Sequence, residues 1–218
     1  MSRNQERLDE HLAAALLDIG AISFNAQSPY TWASGLRSPV YCDNRLTIAH
    51  PAIRRTIMDG FVSVVRREGY DPSVIAGTAT AGIPHAAWLA NSLDLPLAYV
   101  RGGAKSHGTG KQVEGSVDPG SQVLLVEDLV STGGSSLLAV DALRESGASV
   151  QAVLAVFSYG LDSSERAFRA MNVRLHTLTN FETLLAVARR EGRLDPATEE
   201  TLILWRRDPE AWSEGWRA

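Results

Sequence analysis

Two adjacent carboxylates, Glu127 and Asp128, are followed by the small, hydroxyl- and glycine-rich run Ser131-Thr132-Gly133-Gly134-Ser135-Ser136. Backbone N–H groups in such a loop, backed by the partial positive charge of a helix N-terminus, suit a phosphate. A carboxylate beside a bare phosphate repels it unless the acid holds sugar hydroxyls or a cation. The pairing therefore points to a phosphorylated sugar, its phosphate in the loop and its hydroxyls on Glu127 and Asp128. The plainer alternative is a strand-turn-helix in which Ser131 or Thr132 only caps the helix. A second stretch, from Arg101 to Gly115, carries five glycines and the basic side chains Arg101, Lys105, His107 and Lys111. Its glycines make it too flexible for a packed element. It reads either as a cationic lid or as a solvated basic loop.

Both stretches need a frame. Residues 123–126 are an unbroken apolar run between turn formers, the pattern of a strand buried on both faces. Leu137, Leu138, Val140, Asp141 and Leu143 begin a helical pattern just after the hydroxyl-rich loop. Further strands are expected at 73–77, 95–100, 150–157 and 173–178, and Pro84 suits the first turn of a helix. Strand, loop and helix in repetition imply an α/β fold with a doubly wound parallel sheet and right-handed crossovers. Ligands on such sheets sit at the carboxyl ends of the strands, which puts the 77–84 and 127–135 loops on one edge. Upstream, Leu8, Leu12, Ala15, Leu16 and Ile19 give an amphipathic helix closed by Gly20, and Ile53 to Val65 give another ending near Gly69. Between them, aromatic and β-branched residues broken by Gly and Pro suggest short strands folded over something. The whole is expected to be one domain: a hood at about 20–48, a core at about 50–180 and a helical tail at about 181–218. The tail holds three of the five tryptophans, Trp205, Trp212 and Trp216, and reads as an arm pinned to the body or to a partner subunit.

The 218 residues suffice for one good core. With 44% hydrophobic and 21% charged residues the composition is that of a soluble globular protein, and a net charge of −4 gives no support for a nucleic-acid surface. A lone cysteine, Cys42, makes neither an internal disulfide nor a zinc site. No apolar run approaches the roughly 18 residues that cross a membrane, and the polar start leads into no signal-like core, so a cytoplasmic location is expected.

The run from Val123 to Ser135 resembles the phosphoribosyl pyrophosphate motif of type I phosphoribosyltransferases. Three more stretches narrow the resemblance to the orotate phosphoribosyltransferases. They are Arg101-x-x-x-Lys105-x-His107-Gly108 with the later Glu114-Gly115, the segment from Ser34 to Arg45, and the loop from Gly77 to Ala86. Four motifs in the right order, over more than half of the chain, are far more specific than the first alone. The resemblance implies transfer from phosphoribosyl pyrophosphate to orotate, giving orotidine 5′-monophosphate and pyrophosphate, with magnesium carried through the substrate and no direct protein ligand for the metal. It places Arg101, Lys105 and His107 on the pyrophosphate and Glu127 and Asp128 on the ribose hydroxyls. Leu129, Val130, Ser131, Thr132, Gly133, Gly134 and Ser135 go to the 5′-phosphate, and Ser131 also near orotate; Lys105, His107 and Asp128 are the catalytic set. It also implies a homodimer with shared active sites. The chain departs from the family pattern at Gly102 and Ala33, where some members have lysine, and at Phe157-Ser158-Tyr159-Gly160, which lacks an arginine for the carboxylate of orotate. Arg37 and Arg45 are the candidates to replace it. The rival readings are a phosphoribosyltransferase for another base and a phosphoribosyl-sensing regulator on the same fold.

Overall fold

Four apolar residues in a row at 123–126 are explained by the two layers they enter. Leu124 and Val126 join Ile75, Leu154 and Val156 on one face of a sheet, and Val123 and Leu125 join Ala76, Val153 and Ala155 on the other. The computed structural model describes residues 3–32, 35–103 and 112–216. Helix α1 (Arg3–Asp18) leads into four short strands, β1 (Ile22–Phe24), β2 (Tyr30–Thr31), β3 (Arg37–Ser38) and β4 (Val40–Cys42). A 3-10 turn at Asn44–Ala49 and helix α2 (Pro51–Glu68) follow. The alternating part then runs β5 (Val74–Thr78), α3 (Gly82–Leu93), β6 (Leu97–Val100), β7 (Val113–Glu114), β8 (Gln122–Val130), α4 (Gly134–Glu145), β9 (Ser149–Ser158), α5 (Asp162–Ala170) and β10 (Arg174–Asn180). Helices α6 (Phe181–Arg190), α7 (Pro196–Arg207) and α8 (Pro209–Glu214) complete the chain.

The six-stranded sheet has the order β10-β9-β8-β5-β6-β7. All neighbours are parallel except β6 and β7. The five expected strands are therefore present, and β7 is an addition. It is the returning end of the glycine-rich excursion, whose base is closed where the Arg101 N–H donates to the Gln112 carbonyl at 3.0 Å. Helices α1, α2, α3 and α6 cover one face and α4 and α5 the other, which is the doubly wound arrangement. The hood is built from β1 on β4 and β2 on β3, both antiparallel.

The order of the strands creates a switch point. From β5 the chain moves outward to β6, then returns to place β8 on the other side of β5, so the crevice opens beyond the carboxyl ends of β5 and β8. Unequal pairing deepens it. Strand β8 pairs with β5 only as far as Gly77↔Val126 but with β9 as far as Val130↔Ser158. Residues 127–130 thus have one edge without a strand neighbour.

Candidate active site

The sequence pattern ends the acidic strand at residue 126, whereas β8 continues through Glu127, Asp128, Leu129 and Val130. The two carboxylates are therefore strand residues at the open edge, and the loop proper is Ser131–Gly133, with Gly133 in a left-handed conformation (φ 86°) where α4 begins. A strand fixes neighbouring side chains more firmly than a loop, and this one is anchored on β9 throughout.

Facing that edge is the turn after β5. Its Ala79 N–H donates to the Val100 carbonyl at 2.8 Å, and the Ala79–Thr80 peptide is cis. The turn lies directly on β8: a Cβ on Gly82 would stand 2.5 Å from the Val126 carbonyl oxygen and 3.3 Å from the Glu127 Cα. Only glycine permits that approach. The hood closes the third side. Asn44, buried, donates from Nδ2 to the Asp128 carbonyl at 2.7 Å and accepts from the Cys42 thiol at 3.3 Å. Together these walls enclose a cavity of about 310 Å³ lined by Asp43, Arg45, Thr78, Thr80, Asp128 and Ser135, among others.

Glu127 is held on all sides. Its carboxyl accepts from the Asp128 N–H at 3.1 Å, from the Ser136 hydroxyl at 3.1 Å and from the Ser135 hydroxyl at 3.4 Å. Burial, reinforced by the charge of Asp128, pushes its pKa up from 4.5 to about 8. Burial raises Asp128 as well. Two acids enclosed together resist carrying two charges, so a ligand offering hydroxyl donors or a cation is what this pair lacks. Arg45 does not supply it outright, being tied to Asp43 by two bonds of 2.6 and 2.8 Å that hold the Asp43 carboxyl below its usual range.

The expected site residues fall into groups. Glu127, Asp128, Leu129 and Ser135 line the cavity, and Ser131 and Thr132 line a second one, of about 620 Å³, on the other side of the loop. Val130 is buried in the strand, and Gly133 and Gly134 form the helix start. Arg101 stands at the end of β6, its Nη1 3.8 Å from the Glu114 carboxylate of β7. Lys105 and His107, like Ala33, lie outside the described residues. Asn44, Gly82 and Arg206 were not singled out from the sequence. Asn44 sits inside a segment that carried the family resemblance. Arg206 had no local signal, since its contact, Nη2 to the Gly160 carbonyl at 3.3 Å, spans 46 residues.

Residues 47–179 match the family model described as phosphoribosyl transferase domain. The orotate phosphoribosyltransferase of Bacillus caldolyticus is 50% identical over 201 residues, 92% of this chain and 97% of that one. Among solved structures, orotate phosphoribosyltransferase from Aeropyrum pernix superposes with a TM-score of 0.73 at 32% identity, over 84% of this chain and 99% of that one. UMP synthase of Leishmania donovani gives a TM-score of 0.77 at 26% identity, over 91% of this chain but 42% of that longer one. An acidic strand end and a hydroxyl- and glycine-rich loop at the switch point of a doubly wound sheet agree with these likenesses, and the chain belongs to the phosphoribosyltransferase family, among the orotate phosphoribosyltransferases.

Proposed function

We propose that this chain transfers the ribose 5-phosphate group from 5-phosphoribosyl 1-diphosphate to orotate, giving orotidine 5′-monophosphate and diphosphate, a step of de novo pyrimidine (UMP) biosynthesis. The observation that carries this is the Glu127–Asp128 pair on the open edge of β8, one turn from the Ser131–Ser135 loop, in a chain half identical to an orotate phosphoribosyltransferase. The chain acts as a single phosphoribosyltransferase domain.

In this reading the ribose 2- and 3-hydroxyls donate to Asp128 and Glu127, and the 5′-phosphate sits on the Ser131–Ser135 loop at the start of α4. The bond from C1 to the diphosphate oxygen breaks while that from orotate N1 to C1 forms, and N1 reacts in its deprotonated form. Positive charge grows on the ribose ring and negative charge on the departing diphosphate. Fixed groups matched to those charges lower the barrier, and holding the sugar in register removes much of the entropy cost. Arg101, Lys105 and His107 neutralise the leaving group. No group of three acids or histidines among the described residues could hold a metal, so magnesium would be carried on diphosphate and ribose hydroxyl oxygens and would supply positive charge at the leaving group. The enzyme works as a homodimer with shared active sites in the cytoplasm. Among the described residues no helix is long and apolar enough to cross a membrane.

Following the ultraviolet absorbance of orotate in the presence of phosphoribosyl diphosphate and magnesium tests this directly. Orotate should be consumed, and adenine, guanine and hypoxanthine ignored. Turnover of a purine at a matching rate would sink the base assignment, and full activity in excess EDTA would sink the metal.

A further inference from the structure

We propose that Ser213, on the tail helix α8, is a positioning residue for the reaction: its hydroxyl holds the hood hairpin β2–β3 at the spacing the base requires. This rests on the transfer to orotate proposed above. The hairpin pairs Tyr30 with Ser38 and Thr31 with Arg37, and it joins no larger sheet. A hairpin this small is marginal by itself, and its edges carry main-chain groups with no strand partner. Its root is fixed beside β1, where the Tyr30 and Ser23 hydroxyls lie 3.0 Å apart and the Asn25 N–H donates to the Pro39 carbonyl at 2.7 Å. Its far end is met by the tail. There the Arg37 N–H donates to the Ser213 Oγ at 2.9 Å, across 176 residues. Arg37 thus enters through its main chain, while its side chain is exposed.

Three observations single out this bond. Ser213 is the one buried residue of α8, so the helix turns a hydroxyl, and no apolar side chain, fully onto the hood. A buried hydroxyl is retained where it has a partner to serve. The tail side is also rigid. The preceding residue, Trp212, packs against the core with its ring 5.6 Å from that of Trp216, and Asp208 caps α8 by accepting from the Ala211 N–H at 3.0 Å. Trp205, fully buried in α7, sets its ring 5.6 Å from Trp32 of the hood. Finally, the bond lies on a seam. Leu36 and Glu214, the chain neighbours of the bonded pair, both line the 620 Å³ cavity that Trp32, Ser131 and Thr132 also line. The Arg37–Ser213 bond therefore joins the hood wall of that cavity to its tail wall and sets the distance between them.

The hood is thus fastened at two places with different consequences. Asn44 ties it to the Asp128 carbonyl, on the acidic edge assigned above to the ribose. Ser213 ties it on the side of Ser131, the residue that the family resemblance sets near orotate. Loss of the Ser213 bond loosens the wall over the base and leaves the sugar cradle on β8 intact.

The test compares the full-length wild type with S213A and S213T, measuring KM for orotate and for phosphoribosyl diphosphate separately. S213A should raise KM for orotate by roughly 5- to 50-fold, with KM for phosphoribosyl diphosphate within about twofold. S213T, which restores the hydroxyl, should bring KM for orotate back to within about threefold of wild type. Hydrogen exchange followed by mass spectrometry, in peptides carrying the Arg37 amide, should quicken in S213A and not in S213T. S213C, close in volume but a weak acceptor, carries the comparison should S213A fail to fold. Equal rises in both KM values, no rise in either, unchanged exchange, or S213T behaving as S213A overturn the assignment while the transfer reaction stands. A wild type that does not consume orotate overturns both.

Discussion

Asn44, in the turn after the hood, donates its side-chain N–H to the main-chain carbonyl of Asp128 at 2.7 Å. The bond occupies the strand edge that β5 leaves open, so the hood is fastened to the acidic strand by a group that also receives the Cys42 thiol. Asn44→Ala strands two partners at once, the buried Cys42 thiol and the part-buried Asp128 carbonyl. It should cost about 1–3 kcal/mol in urea unfolding and raise KM for phosphoribosyl diphosphate. An unchanged unfolding midpoint would show that the hood is held by other contacts.

Gly82 predicts intolerance of a single methyl group. Its would-be Cβ meets the Val126 carbonyl, which is backbone and cannot turn aside. Gly82→Ala should therefore destabilise by about 1–3 kcal/mol through overpacking, and lower activity as the 78–81 turn is pushed from β8. Wild-type melting and kinetics in this variant would mean that the two segments separate freely.

The raised pKa of Glu127 makes a statement about stability and pH. Its folded value of about 8 exceeds the ordinary 4.5, so the folded state keeps a proton that the unfolded state has released, and stability falls as pH rises through that window. The slope is about 1.4 kcal/mol per pH unit at most. Glu127→Gln removes it. Between pH 5.5 and 7.5, roughly the middle of the window, the ligand-free variant should gain melting temperature relative to wild type. Parallel curves would mean that Glu127 titrates normally.

Trp205 ties the tail to the site. Its ring packs at 5.6 Å on Trp32, 5.5 Å on Tyr159 and 5.8 Å on Phe181, joining hood, sheet edge and α6. Trp205→Ala should cost about 3–5 kcal/mol. Melting within a degree or two of wild type would leave the tail as an ornament.

Lid and cradle should separate kinetically and by subunit. Lys105→Ala should lower kcat chiefly, because its charge matters as diphosphate departs, whereas Asp128→Asn should weaken phosphoribosyl diphosphate binding. If the lid reaches the neighbouring subunit, mixing the two inactive variants under subunit exchange restores roughly a quarter of wild-type activity, since half the dimers then carry one intact site. No recovery after exchange is confirmed by mass would place the lid on its own subunit.

Much of this molecule is written in short-range pattern. The apolar run before Glu127 declared a two-faced strand, and strand-loop-helix repetition declared the parallel sheet. Acids, hydroxyls and glycines in one run pointed to a phosphorylated sugar, and turn residues and periodicity act within a few positions of themselves. What the pattern could not specify is how far two strands stay paired. Glu127 to Val130 read as loop from composition, and they are strand because β9 continues beside them where β5 stops. The proton on Glu127 is likewise a tertiary property, set by the water that packing removes. Asn44 meets Asp128 across 84 residues and Arg206 meets Gly160 across 46, contacts that arise when crossovers bring remote segments to one sheet edge. Residue types alone pointed to a phosphorylated sugar; which segments wall the cavity at Glu127 and Asp128 was decided by where the folded chain put them.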